Sequence, residues 1–463
     1  MAERISRLIG LNIIGIDIIA KTLEEPLEMG KSGIVEVNAG PGFRMHLYPS
    51  EGKPRNIAKA VVDMLFPEGA HHSIPICAVT GTNGKTTTTR LISHILTYGG
   101  NKVGVTSTDG VFIDGVQILK GDYSGPEGAK AVLKDSTVDH AVLEVARGGI
   151  LRRGLGFKEC DVGVMTNVTS DHLGQGGIDS LESLSRLKST VLESVKKTGW
   201  AVVNADNPMS LLRLDKIKSK IILYSKDKDH PLLKENLKKN HVNVTVKNEH
   251  IILQTPEMDV EIAEIDLIPI TFQGLADFNL ENAMAVVGAT YGLGVREEVI
   301  QKGLYTFNPS ITQSRGRMNI IDIGDFKVLI DYCHNIGAIE ATINFIKSLM
   351  PGKKIRLSSG VGNRRTEDII EYGKVLAKHF DEIVICDPSP RNRKPGETSL
   401  ILKEGILKGG MAEENITVTD EERKGAQIAL KKAGPGDLVI LQVDNVDQMI
   451  SDVLEFKKNY SMK

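Results

Sequence analysis

The run Val79-Thr80-Gly81-Thr82-Asn83-Gly84-Lys85-Thr86-Thr87-Thr88 brings together residue types that bind a phosphate chain. It follows a continuous apolar run, Ile74–Thr80, and precedes a helical pattern over Thr89–Leu96. A glycine-rich turn at such a junction aims backbone N–H groups at an anion. In such a loop Lys85 reaches the β- and γ-phosphates, and the Thr86 hydroxyl ligates Mg²⁺. The strict GxxxxGKS/T spacing is not met, because position 79 is valine.

Two further strand ends supply what a bound nucleotide needs. Glu144 lies at the end of the run His140–Val145, and Asn167, Asp171 and His172 follow Asp161–Thr166. Ligands of open α/β sheets sit outside the carboxyl ends of the strands, so Glu144 and His172 are both candidates to face Mg²⁺. A hard cation prefers the carboxylate. On a helix expected over Leu181–Lys197, the residues Leu181, Leu184, Leu187, Val191, Leu192 and Val195 form one apolar stripe, and Lys188 falls inside it. Such a lysine either snorkels its head to water or is buried with a lowered pKa. A neutral buried amine can take up CO₂, and the resulting carbamate would hold a second Mg²⁺. Asn279 opens another helix and reads as its N-cap, while Asn282 stands one turn on, where it can meet an adenine. Arg317 and Asp331 mark the start of the last third of the chain. Arg364 and the cluster Arg391-Asn392-Arg393 follow later strands; they are either solvated surface or a grip for a carboxylate-bearing substrate.

The elements that must position these residues follow from pattern and composition. At 463 residues the chain has room for about three domains. Its 57 basic and 59 acidic residues nearly cancel, which removes the bulk electrostatic case for nucleic acid or an anionic membrane. No apolar run reaches the ~18 residues of a membrane span, and no signal-peptide pattern opens the chain. Four scattered cysteines make neither a disulfide framework nor a zinc ribbon, and a reducing cytoplasm is the expected setting. Residues 1–68 read as a short α/β domain with a strand over Gly33–Asn38, and residues 69–308 as a central domain with a parallel sheet. Within the latter, Val242–Val246 and Ile251–Ile262 alternate polar and apolar residues, which predicts an antiparallel flap. Residues 309–463 alternate strands and helices again and predict a doubly wound, Rossmann-like domain.

Taken together, Gly81-Thr-Asn-Gly-Lys-Thr86, Thr166-Asn167…Asp171-His172, Asn279…Asn282, Gly316-Arg317-Met318 and Asp331-Tyr-Cys-His-Asn335 resemble the Mur ligase superfamily, which joins a carboxylate to an amine at the expense of ATP. The resemblance runs from about Ile74 to the C-terminus. It implies ATP binding by Gly81, Thr82, Asn83, Gly84, Lys85, Thr86, Thr87, Asn279, Asn282, Arg317 and Asp331. It also implies two Mg²⁺ held by Thr86, Glu144, His172 and a carbamylated Lys188, with Lys85, His172, Lys188 and Arg317 catalytic. The spacing from His172 to Lys188 and the run Thr108–Gly115 are similar to the Mur-like part of cyanophycin synthetase. Gly15-Ile-Asp17 and Val35-Glu36-Val-Asn38 resemble the end of the ATP-grasp domain that precedes it, cut down to a piece without the nucleotide-binding lysines.

The expected function is thus an ATP-dependent amide ligase adding a free amino acid to a carboxylate acceptor. The favoured acceptor is a nucleotide-linked cell-wall peptide, as for the pseudomurein peptide ligases, with residues 1–68 docking it. A cyanophycin-type or glutamate-adding ligase, a P-loop NTPase and a non-catalytic nucleotide-binding subunit are the alternatives.

Overall fold

Strands whose apolar residues run without interruption are buried on both faces, and two sets of them build this protein. The computed structural model describes residues 1–22, 24, 26–27, 30–69, 73–170, 173–174, 176–360, 362, 364–388, 391 and 393–460. The chain divides into two compact units, Met1–Ile74 and Pro75–Lys463.

The first unit pairs the strands Gly15–Ile19 and Gly33–Asn38 antiparallel and adds the helices Ala2–Ile9, Arg44–Leu47 and Ile57–Leu65. None of its described residues is buried. A two-stranded ribbon with short helices does not by itself make an ATP-grasp fold, so that likeness remains one of sequence.

In the second unit the strand Ile76–Thr80 lies inside an eleven-stranded sheet, between Cys160–Met165 and His140–Glu144, all parallel. Alternate residues of that strand serve opposite faces. Cys77 and Val79 pack with the helices Lys85–Tyr98 and Asp277–Gly292, while Ala78 packs with Leu181–Glu193. Two expectations change here. The alternating segments after Val242 pair antiparallel as expected, but as the edge of the main sheet: Val242–Lys247 joins it in parallel beside Lys220–Ser225, and His250–Gln254 and Asp259–Glu264 extend it antiparallel as two strands. The helix expected over Leu181–Lys197 stops at Glu193, and Val195 instead opens the strand Val195–Asn204, opposite Cys160. Val195 is buried either way, so apolar spacing could not distinguish one more helical turn from the first residue of a strand.

The C-terminal lobe carries a six-stranded sheet in the order Asn319–Asp322, Lys327–Asp331, Leu438–Gln442, Lys354–Ser359, Glu382–Cys386, Ile416–Val418. Only the first pair is antiparallel. Leu438 and Ile440 face the helices Ile336–Leu349, Thr366–His379 and Glu397–Lys408; Val439 and Leu441 face Glu422–Lys432 and Val446–Tyr460. Helices on both faces make the lobe doubly wound, as expected. The edge strand Asn319–Asp322 went unanticipated, being only four residues long. Among the described residues no helix is long and apolar enough to cross a membrane.

The two lobes share apolar contacts. Phe345, 1% exposed on the helix Ile336–Leu349, places its ring 4.6 Å from Phe272 and 6.4 Å from Phe278. Phe272 lies in the segment that leads into the helix Asp277–Gly292 of the larger lobe, and Phe278 in the first turn of that helix. Phe345→Ala should therefore cost about 3–5 kcal/mol in urea unfolding. An unchanged midpoint would show that this aromatic cluster does not join the lobes.

Candidate active site

Close backbone approach shapes the loop at the end of Ile76–Thr80. Gly81 has φ +152°, and a Cβ there would lie 1.9 Å from Thr166 Oγ1; Gly84 has φ +85°, and a Cβ there would lie 2.2 Å from Asn282 Oδ1. Neither contact tolerates a side chain, so both glycines are dictated by their neighbours. Asn167 then holds the turn from the adjacent strand end. Its carbonyl accepts from Thr82 N at 2.8 Å, and its Oδ1 accepts from Asn83 N at 3.0 Å. With those two donors used internally, the N–H groups of the first helical turn, from Lys85 onward, are the ones left for an anion.

Thr86 sits where three elements meet. Its hydroxyl donates to Glu144 Oε2 at 3.0 Å and accepts from Arg317 Nη2 at 3.2 Å. Glu144 is 1% exposed, and its second oxygen, Oε1, is buried with no hydrogen-bond partner among the described residues. Burial pushes this carboxyl above its ordinary value, while the Lys85 and Arg317 charges pull it back. An orphaned, buried carboxylate oxygen beside a threonine hydroxyl is the donor set a hard divalent cation takes. Among the described residues no group of three or more His, Cys, Asp or Glu gathers around a metal position. Thr86 and Glu144 would therefore hold Mg²⁺ together with phosphate oxygens and water.

The other predicted residues fall as follows. Lys85 Nζ donates to Thr82 O at 3.0 Å, across its own loop. Lys188 is 3% exposed, and its Nζ donates to Gly81 O at 2.6 Å, so it is buried against the phosphate loop and does not snorkel. Asn279 is not the N-cap expected of it, since Ala276 holds that position; the Asn279 amide instead donates to Ile270 O at 2.8 Å and accepts from Asn282 Nδ2 at 3.1 Å. This arrangement sets Asn282 against Gly84. Asp331 accepts from Met318 N at 2.8 Å and Cys333 N at 2.7 Å; burial raises its carboxyl, and Arg317 opposes the rise.

All of these residues, with Thr87 and Arg391, line one cleft of about 1190 Å³. Arg364 and Arg393 are turned to loop support: Arg364 Nη1 donates to His334 O at 2.7 Å, and Arg393 binds Glu397 and Arg364 O. His172 and Asn392 lie outside the described residues. Sequence reasoning passed over Arg147, Arg152 and Arg153, which also line the cleft. They sit on the helix Arg147–Arg153, directly after Glu144, and three cations in seven residues was the available signal. Asn167 stood in the sequence as a strand-end residue of a motif, but its hold on the loop gave no signal, because its partner Asn83 is 84 residues away.

The raised carboxyl has a measurable consequence. Between the ordinary glutamate pKa of about 4.3 and its elevated folded value, the folded state binds more protons than the unfolded chain, so stability falls as pH rises through that window. Glu144→Gln removes this loss. The variant should melt higher than the wild type at neutral pH, with the gap closing near pH 4, while losing turnover. A variant that melts lower at neutral pH would show that the carboxylate is stabilised in place.

The Mur ligase middle domain matches residues 79–290, and the Mur ligase glutamate ligase domain matches residues 316–442. Cyanophycin synthetase of Synechocystis sp. is 42% identical over 434 residues, covering 94% of this chain and 49% of that protein. The chain thus spans about half the length of the curated relatives it matches. Among solved structures, E. coli FolC in complex with DHPP and ADP superposes with a TM-score of 0.61 at 19% identity, over 87% of this chain and 98% of that one. A pseudomurein peptide ligase type C from Methanothermus fervidus gives 0.57 at 21% identity, over 86% and 81%. These two likenesses speak for the fold. With both domain models spanning the cleft and its two lobes, the chain belongs to the Mur ligase superfamily.

Proposed function

We propose that this chain is an ATP-dependent amide ligase working through an acyl phosphate. A substrate carboxylate attacks the γ-phosphorus of ATP and releases ADP. The incoming amine then attacks the acyl carbon, expels phosphate and gives up a proton. The observation that carries this reading is the chain Arg317–Thr86–Glu144. A phosphate loop completed by an arginine from a second lobe needs that lobe closed, and closure keeps water from an acyl phosphate. A simple NTPase has no use for that exclusion.

Each residue has a task in this scheme. The N–H groups at the start of Lys85–Tyr98, with Lys85, hold the phosphates, and Arg317 adds positive charge from the other lobe. Thr86 and Glu144 would hold Mg²⁺, which supplies further charge neutralisation on the transferring phosphoryl group. Arg147, Arg152, Arg153 and Arg391 give the cleft wall cations suited to carboxylate substrates. The 42% identity to cyanophycin synthetase favours an amino-acid-adding ligase of that kind over one acting on a nucleotide-linked cell-wall peptide. With ATP present, ADP should form only when a carboxylate and an amine are both supplied. Lys85→Ala should stop it in a protein with unchanged circular dichroism. Release of AMP and pyrophosphate would rule out the acyl phosphate, and acceptor-independent turnover would point to an NTPase.

Lys188 is the proposed site of carbamylation. Its amine, already desolvated beside Gly81 O, would add to CO₂ with loss of one proton and become an anion near the phosphate loop. Lys188→Ala should be nearly inactive and regain activity with small carboxylates, and wild-type activity should fall when CO₂ is removed. A Lys188→Ala enzyme with normal rates would leave the lysine a purely structural role beside the loop.

A further inference from the structure

Asn335 was no more than the last residue of a motif in the sequence, yet the fold places it at a junction. Its amide and that of Asn83 face each other across the two lobes: Asn335 Nδ2 donates to Asn83 Oδ1 at 2.9 Å, and Asn83 Nδ2 donates to Asn335 Oδ1 at 3.3 Å. Each side of this reciprocal pair is separately anchored. The Asn83 backbone donates to Asn167 Oδ1 at 3.0 Å, and its carbonyl accepts from Thr166 Oγ1 at 2.6 Å. Asn335 is 2% exposed, and its Oδ1 also caps the helix Ile336–Leu349 by accepting from Ala338 N at 2.8 Å. Behind it, Arg356, fully buried, donates to Cys333 O at 2.7 Å, and Arg364 donates to His334 O at 2.7 Å.

The loop 331–335 is thus held rigid from its own lobe and presents one amide to the tip of the phosphate loop. The reciprocal pair exists only while the lobes are together, and separating them costs both of its hydrogen bonds. We propose that Asn335 is a positioning residue that latches the two lobes and sets the shape of the phosphate loop before the nucleotide arrives. Its influence on ATP passes through Asn83. The part concerning ATP rests on the reading that loop 81–87 holds the phosphates; the latch itself does not.

Asn335→Ser separates the latch from the cap, because serine still caps a helix but is too short to reach Asn83. In the full chain, the Kd for a fluorescent ATP analogue should rise roughly tenfold, as expected for losing two hydrogen bonds, with the melting temperature little changed. In an Asn83→Ala background the same substitution should add less than twofold, since the partner is already gone. Small-angle scattering without nucleotide should give a larger radius of gyration for Asn335→Ser than for wild type. An unchanged Kd, or an effect undiminished in the Asn83→Ala background, would overturn the role in ATP binding. An unchanged radius of gyration would overturn the latch. Failure of the wild type to bind ATP at all would instead refute the reading of the loop, and the scattering comparison would still decide the latch.

Discussion

A threonine hydroxyl has one proton to give and lone pairs to accept with, and Thr86 uses both capacities at once. It donates to Glu144 on the neighbouring strand and accepts from Arg317 of the other lobe. That single hydroxyl sets a requirement on most of the chain. The strand Ile76–Thr80 must end beside His140–Glu144, the helix starting at Lys85 must begin at their carboxyl ends, and the C-terminal lobe must lie close enough to bring Arg317 in. A parallel sheet meets the first two conditions naturally, because crossover helices return each strand to the same edge.

The charges gathered there are costly to bury and are balanced locally. Glu144 lies between Lys85 and Arg317, Asp331 meets Arg317 and two backbone N–H groups, and Lys188 donates a hydrogen bond to a carbonyl of the loop. Lys85 and Arg317 both oppose the charge of Glu144, and among the described residues its second oxygen has no hydrogen-bond partner. This is the condition expected of a site built to take a further cation, since a carboxylate fully satisfied by the protein would have little to offer a metal.

The lobes meet through contacts of different physical kinds. The aromatic cluster around Phe345 is apolar and non-directional, the amide pair Asn83–Asn335 is directional, and Lys120 with Asp447 adds an ion pair of 2.8 Å at the rim. The exposed ion pair adds little stability, with Lys120 at 77% side-chain exposure. Apolar burial, the amide pair and the Arg317–Thr86 bond therefore define how the lobes sit, and the first two involve the helix Ile336–Leu349 or its cap.

Much of this was legible without coordinates, because it depends on local pattern. Uninterrupted apolar runs identify the parallel strands, and a glycine-rich turn before a helix marks a candidate phosphate loop, since backbone sterics demand those residues at those places. Local pattern was ambiguous wherever two structures bury the same side chain. Val195 satisfies a helix or a strand equally, Asn279 satisfies a cap or an internal brace, and the alternation after Val242 satisfies a flap or a sheet edge. Contacts between distant residues were not legible at all. The hold of Asn167 on the phosphate loop, the use of Arg364 and Arg393 as loop supports, and the pairing of Asn83 with Asn335 across 252 residues depend on which surfaces the folded sheets bring together. The sequence determined which groups this protein can use, because residue type sets charge and hydrogen-bonding capacity. Only the tertiary structure decided which of them meet, because a hydrogen bond exists only within about 3 Å and chain order carries no distances.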